Sequence, residues 1–321
     1  MNIRRNILLN PGPATTTDTV KAALLVPDIC PREREFGDLM RAFGSDLLRV
    51  VHVTPEEWAT VLFCGSGTIA MDACVSSLVP ADGKLLIVNN GAYSARAAEM
   101  ARAYGVPHID LTFPIDGLPD LAVIEDTLKK HPEITAVYTT HQETGTGILN
   151  PVREIGALAH AHGAICIADT ISTFAMIPID AAEMNIDALM SSAQKGIQGM
   201  TGLSFVLARK SVLDAAAHYP VRSYYTNLVM QYEGFEKTGE MRFTPPVQVV
   251  YAAKRALAEY FAEGETKKWA RHTRVMNAIH EGLESLGLEE AIPRAIQSGL
   301  VAAVRYPDDP NFDFTRVHDY C

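Results

Sequence analysis

The sequence predicts an α/β fold: a mostly parallel, seven-stranded sheet sandwiched by helices, followed by a smaller α+β portion. Three observations carry this reading. Short apolar runs alternate with helix-spaced segments from about residue 60 to residue 208. Capping residues and glycines punctuate the helical segments where helices should begin and end. After about residue 245 the alternation gives way to two longer helical segments, so the character of the chain changes there.

In chain order, Thr54-Pro55-Glu56-Glu57 reads as a helix start, with a capping threonine, proline at the first helical position and a glutamate three residues after the cap. The strand-like runs are 61–64, 85–88, 108–113, 134–140, 164–168, 188–191 and 203–208. Helical spacing fills 68–78, 92–104, 122–130 and 152–162, and Gly163 stops the last of these just before a strand. Beyond 245, helices are expected over 247–262 and 266–286, an alternating strand over 300–306, and a new helix starting in Asp313-Phe314-Thr315-Arg316. A lone strand with two helices and an unfinished crossover is a poor independent core, so this second portion reads as an incomplete domain.

At 321 residues and 35.0 kDa the chain has room for about two domains of roughly 150 residues. Its 48% hydrophobic and 21% charged residues exclude disorder and a small disulfide scaffold. The net charge of −10, without any Lys/Arg run, argues against a nucleic-acid partner. Only Ile7-Leu8-Leu9 separates the amino-terminal arginines from Pro11-Gly12-Pro13, too short for a signal-peptide core. No stretch approaches the roughly 20 apolar residues of a membrane helix, and a cytoplasmic location is expected. Five cysteines without C-x-x-C spacing favour reduced structural thiols over zinc or a disulfide framework.

Ligands in such folds sit at the carboxyl ends of the strands, so the residues just after each run matter most. The first group is Gly65-Ser66-Gly67-Thr68-Ile69-Ala70, a glycine turn between strand and helix. The N–H groups of Gly67 and Thr68, with the Ser66 and Thr68 hydroxyls, suit a phosphate. The same residues fit G-x-G-x-x-A, but a dinucleotide site wants an acid about 20 residues on, where Asn89-Asn90-Gly91 stands. A plain helix cap with a turn glycine is the bland alternative. The second group is Ile165-Cys166-Ile167-Ala168-Asp169-Thr170, a strand ending in a carboxylate that, taken alone, reads as a helix cap. The third is Ser191-Ser192-Ala193-Gln194-Lys195-Gly196. Lys195 lies among small residues at the ligand edge, where an amine can be desolvated and its pKa lowered; a solvated loop lysine is the alternative.

Taken jointly, a phosphate cradle, a strand-end aspartate and a strand-end lysine are the groups that a pyridoxal 5'-phosphate site needs. Tyr93, just after the second strand, could cover the ring face.

At this point the sequence resembles the class V, fold-type I aminotransferases, and within them the 2-aminoethylphosphonate–pyruvate branch. The stretches that carry the resemblance are Asn10-Pro11-Gly12-Pro13-Ala14-Thr15-Thr16, Val26-Pro27-Asp28-Ile29-Cys30-Pro31-Arg32-Glu33, His141-Gln142-Glu143-Thr144-Gly145-Thr146-Gly147 and Ser191-Ser192-Ala193-Gln194-Lys195-Gly196. They run in order along nearly the whole chain; the first two favour the phosphonate branch.

The resemblance implies that Ser66, Gly67 and Thr68 hold the cofactor phosphate, with Gln194 adding a hydrogen bond. It further implies that Tyr93 stacks on the ring, Thr144 contacts it, Asp169 pairs with its nitrogen, and Lys195 is the Schiff-base lysine and proton shuttle. Thr244, in Arg242-Phe243-Thr244-Pro245-Pro246, matches the position that reaches the other subunit's phosphate in a homodimer with a shared active site. His141 fits a structural role better than that of a base. The family's substrate-binding arginine follows a tyrosine-proline-glycine turn that this chain lacks, and Arg32 and Arg34 are stand-ins for it. The implied domains are residues 15–245 for the cofactor and 1–14 with 246–321 for a smaller, carboxyl-terminally incomplete part.

The implied reaction converts 2-aminoethylphosphonate and pyruvate to phosphonoacetaldehyde and alanine, with small-molecule amine and keto-acid substrates. Alanine–glyoxylate or serine–pyruvate transamination is the alternative on the same scaffold. A catalytically impaired cofactor-binding protein is the alternative from another class.

Overall fold

The computed structural model describes residues 6–320; the amino-terminal arginines and Cys321 lie outside them. The chain begins with α1 (Asp18–Ala22) and α2 (Arg34–Val50). Alternation follows: β1 (Trp58–Gly65), α3 (Gly67–Ser77), β2 (Lys84–Asn89), α4 (Ala92–Ala103), β3 (His108–Thr112), α5 (Leu121–Lys130) and β4 (Ile134–Thr140). A small hairpin, β5 (Gln142–Glu143) and β6 (Ile148–Leu149), precedes α6 (Val152–Ala161), β7 (Ile165–Asp169), β8 (Ala188–Ser192) and β9 (Gly202–Arg209). Helices α7 (Lys210–Ala216), α8 (Leu228–Thr238), α9 (Val247–Glu263), α10 (Glu265–Ser285) and α11 (Phe314–Tyr320) complete the order.

The sheet has seven strands, the predicted number, and their order is β1-β9-β8-β7-β4-β2-β3. Strand β9 runs antiparallel to both neighbours, and the other pairs are parallel. Side chains alternate across the sheet and feed two cores. Leu86, Val88, Val137, Cys166, Leu189 and Phe205 face α2, α5, α6 and α9. Leu85, Ile87, Ala136, Tyr138, Ile167 and Val206 face α3, α4, α7 and α8. Because both faces are covered, the central strands are apolar at successive positions, which is why short apolar runs identify them. Strands β1, β2, β4, β7 and β8 all end on the edge where β9 begins, as Gly65 paired with Gly202 and Thr140 paired with Asp169 show.

Two expectations need correction, and one helix goes unread in the sequence. Thr54-Pro55-Glu56-Glu57 opens only one turn: Trp58 N donates to Thr54 O at 3.0 Å, and Trp58 then pairs with Arg209 in β1. The apolar run that follows is claimed by the sheet. The helix before it, α2, is absent from the sequence reading, although Phe36, Met40, Phe43, Leu47 and Val50 recur at four- and three-residue intervals and are all buried. Residues 300–306 make no strand. They hold the 289–291 stretch through Ala291 N to Ala303 O and Arg305 N to Glu289 O, both at 2.8 Å. Pro293, which lacks an N–H, ends that partner stretch.

Helix α9 buries Val250, Ala253, Ala256 and Leu257 in the same core as α2 and the sheet. Helix α10 buries only Lys268, Met276 and His280.

Candidate active site

The strand-end edge is built from turns that the sequence makes tight. Gly65 (φ +158°) leads β1 into Ser66, which precedes α3; the Ser66 hydroxyl makes no capping bond to that helix. A Cβ on Gly67 would fall 2.9 Å from Ile171 Cδ1, so glycine lets the start of α3 approach the turn after Asp169. At the end of β2, the first turn of α4 is capped from the hairpin. Glu143, 1% exposed, accepts hydrogen bonds from Tyr93 N at 3.2 Å, Ser94 N at 2.9 Å and Ser94 Oγ at 2.7 Å. A carboxylate here meets the positive end of the helix.

Asp169, at the end of β7, is 2% exposed. Ile171 N donates to its Oδ1 at 2.9 Å and Tyr138 OH donates to its Oδ2 at 3.2 Å. Burial raises its pKa to about 6, outweighing those two donors; the Glu143 carboxylate adds to the rise and Arg96 offsets part of it. Lys195 lies three residues past the end of β8 and is half-buried. Burial lowers its affinity for a proton, and the Asp169 charge opposes that shift, so the two groups sense each other.

Lys195 faces a cavity of about 260 Å³. The amino-terminal segment forms one wall. Lys195 Nζ donates to Pro11 O at 2.9 Å, and Ala14 N donates to Gln194 O at 2.8 Å. A Cβ on Gly12 would lie 2.5 Å from Lys195 Cδ and 2.6 Å from Nζ, so only glycine leaves room for the amine. Thr144, Gln142 and Ser172 line a second wall, and His272, Leu300 and Val301 a third. The 297–301 stretch is held to the hairpin loop by Ser298 N donating to Gly147 O at 2.8 Å.

Of the residues singled out from sequence, Lys195 and Thr144 line this cavity. Asp169 and Gln194 are buried beside it, at 2% and 7% exposure. Ser66, Gly67, Thr68 and Tyr93 stand on the same strand-end edge, with the Arg96 guanidinium 4.9 Å from the Tyr93 ring centre. Thr244 is exposed in the loop before α9 and does not line the cavity. Arg32 and Arg34 are also outside it: Arg32 pairs with Glu240 at 2.8 Å and Arg34 with Asp38 at 3.6 Å. His141 is buried, shares a 2.9 Å hydrogen bond with Thr173 Oγ1, and is pushed down to about pKa 4 by burial, so it is neutral at pH 7. Sequence reasoning missed His272 and Gln142. Gln142 is 1% exposed and both ends of its amide lack partners. Its signal was available, since it stands inside the quoted His141-Gln142-Glu143-Thr144 stretch.

The family model described as aminotransferase class-V matches residues 32–305. A 2-aminoethylphosphonate–pyruvate transaminase of Lactiplantibacillus plantarum is 37% identical over 317 residues, covering 98% of this chain and 86% of that protein. One from Syntrophobacter fumaroxidans is 38% identical, covering 97% and 84%. Among solved structures, an alanine–glyoxylate aminotransferase from Nostoc sp. superposes with a TM-score of 0.89 at 26% identity, covering 99% of this chain and 83% of that one. With a half-buried lysine and a buried aspartate on one strand-end edge, and a family match spanning most of the sequence, the chain belongs to the class-V aminotransferases.

Proposed function

We propose that the chain transfers the amino group of 2-aminoethylphosphonate to pyruvate, giving phosphonoacetaldehyde and alanine, with pyridoxal 5'-phosphate bound at the strand-end edge. The observation that carries this is Lys195, an amine at a cavity with its proton affinity lowered by burial and a buried carboxylate close by. The substrate pair is supported by the names of the relatives that share 37–38% of its residues over nearly its full length.

The residues present fit the cofactor. Polar atoms at that edge are left without partners by the chain itself: both ends of the Gln142 amide, Gln194 Oε1 and Ser192 Oγ. The free Ser66 hydroxyl at the start of α3 suits a phosphate. When bound, pyridoxal phosphate supplies an electron-accepting ring that stabilises charge at the substrate's amine-bearing carbon. Ser66, Gly67, Thr68 and Gln194 would hold its phosphate, Tyr93 would cover the ring, and Thr144 would contact it. Asp169, which forms no ion pair among the described residues, would hold a positive ring nitrogen and so lose its raised pKa. Lys195 Nζ would take the proton from the amine-bearing carbon in the first half of the cycle and deliver one to the keto acid's carbonyl carbon in the second. Its lowered proton affinity keeps more of it in the neutral form that a base requires.

We infer a homodimer, with Thr244 reaching the phosphate of a second copy. The support is an exposed aromatic cluster next to it: Tyr224 is 71% exposed, and Tyr225 stacks on Phe243 with ring centres 4.6 Å apart. A large part, residues 15–245, would carry the cofactor and a smaller one, 1–14 with 246–321, would flank it. No helix among the described residues is long and apolar enough to cross a membrane. Four cysteines there are free thiols, which supports a reducing, cytoplasmic setting.

The test is a half-reaction panel on the loaded enzyme. Mixing with 2-aminoethylphosphonate should bleach the absorbance of lysine-linked cofactor faster than alanine or serine does, and pyruvate should restore it. Faster turnover with alanine and glyoxylate would overturn the substrate assignment in favour of that branch.

A further inference from the structure

Helix α10 carries an unusual inward face. Lys268, His272, Met276 and His280 recur every four residues, and the first of them is a lysine only 2% exposed. An amphipathic helix ordinarily buries apolar side chains there. Lys268 forms no ion pair among the described residues. Its one side-chain hydrogen bond runs from Nζ to Gly196 O at 2.5 Å, and Nζ lies 5.2 Å from the centre of the Tyr260 ring. A buried ammonium without a carboxylate partner is costly, so the contact it makes needs a reason.

Gly196 is the residue after Lys195, and its surroundings supply that reason. A Cβ on Gly196 would lie 2.1 Å from Phe174 O and 2.5 Å from Met176 Cγ, so the loop is pressed against the 174–176 turn on one side. The carbonyls of three successive residues are each tied down. Gln194 O accepts from Ala14 N at 2.8 Å, Lys195 O accepts from Gln198 N at 2.8 Å, and Gly196 O accepts from Lys268 Nζ. Only the third tether is a charged side chain, and it comes from α10.

We propose that Lys268 is a positioning residue that acts through the Gly196 carbonyl to aim Lys195 into the cavity, coupling α10 to the lysine loop. This rests on the reading of Lys195 as the reacting amine. Burial pulls the Lys268 pKa down to about 8; Glu263 supports its charge and Arg271 opposes it. Glu263 is itself committed to Arg271 at 2.6 Å, and His272, one turn on, is held neutral by burial beside the same cations. A charge-assisted donor holds a carbonyl more tightly than a neutral one would.

The test compares Lys268→Met, which keeps the length and loses the donor, with Lys268→Arg, which keeps donor and charge. Met276→Ala, two turns further along the same helix, serves as a variant that loosens α10 without touching the loop. In the loaded enzyme, Lys268→Met should lower kcat by about 100-fold, the scale of a misplaced reacting group, with KM for the amine nearly unchanged. In the cofactor-free chain, hydrogen exchange at the Gln198 and Gly199 amides should quicken by roughly tenfold as the loop opens locally. Lys268→Arg should recover most of both, and Met276→Ala should lower the melting temperature while sparing both. Unchanged exchange in folded Lys268→Met overturns the proposal, as does an equal loss of kcat in Met276→Ala at matched melting temperature. The exchange measurement uses neither cofactor nor substrate, so it decides the proposal even if the transaminase reading fails.

Discussion

Asp169 is a carboxyl group placed where water cannot reach it, and its chemistry follows from that. In the cofactor-free chain its pKa is raised to about 6, so the folded state keeps a proton that the unfolded chain releases near its ordinary value of 3.8. The contribution to stability is therefore fully present below about pH 4 and is lost as pH rises through about 6. Asp169→Asn should stabilise the cofactor-free protein by about 2 kcal/mol at pH 8 and by nothing at pH 4, measured by urea unfolding at both values. The same variant should weaken cofactor binding by tenfold or more, because a neutral amide cannot pair with a positive ring nitrogen; unchanged affinity would contradict the role. Lys195→Ala should abolish the absorbance of lysine-linked cofactor and lower turnover by about a thousandfold, read in the same spectrophotometric assay. Both residues are legible in the sequence because a charged group closing an apolar strand is conspicuous. Lys268 is not, since its stretch, Glu265-Thr266-Lys267-Lys268, looks like a solvated helix face and only the packed structure buries one of the two lysines.

At the scale of elements, the site depends on how one hairpin meets one helix. Glu143 closes the first turn of α4 through three hydrogen bonds, and a Cβ on Gly91 would lie 2.5 Å from its carboxyl carbon. Glu143→Ala should cost about 1–2 kcal/mol of stability, the worth of a helix cap. It should also weaken cofactor binding by displacing Tyr93, whereas Glu143→Gln, which keeps an acceptor, should cost less than half as much by denaturant titration. The seven strands can be read from sequence because apolar runs such as Leu85-Leu86-Ile87-Val88 are buried on both faces. The elements that escape the reading fail for local reasons. Alternating 300–306 looks like a strand, but the chain offers it only a short partner ended by Pro293. The β5–β6 hairpin is two residues long on each side, too short for any periodicity, yet it carries Gln142, Glu143 and the approach to Thr144.

Across the whole molecule, buried titratable groups set how stability responds to acid. His141 and His272 are both held near pKa 4 by burial, so unfolding takes up protons there as pH falls below about 6.5. That stability is present at neutral pH and is lost toward pH 4. Asp169 works in the opposite direction over the same interval, and two histidines outweigh one aspartate. The cofactor-free protein should therefore lose melting temperature between pH 6.5 and pH 4, and Asp169→Asn should steepen the loss; a flat profile would contradict the burial of these histidines. In solution the particle mass should be twice the 35.0 kDa of one chain by sedimentation, and Tyr225→Glu beside the exposed aromatic cluster should shift it toward monomer. The central claim is that Lys195 is the amine that carries the cofactor, and one measurement addresses it without reference to any substrate. Borohydride reduction of the protein loaded with pyridoxal phosphate, followed by peptide mass mapping, should place a single adduct on Lys195. An adduct on another lysine, or none at saturating cofactor, would contradict the account.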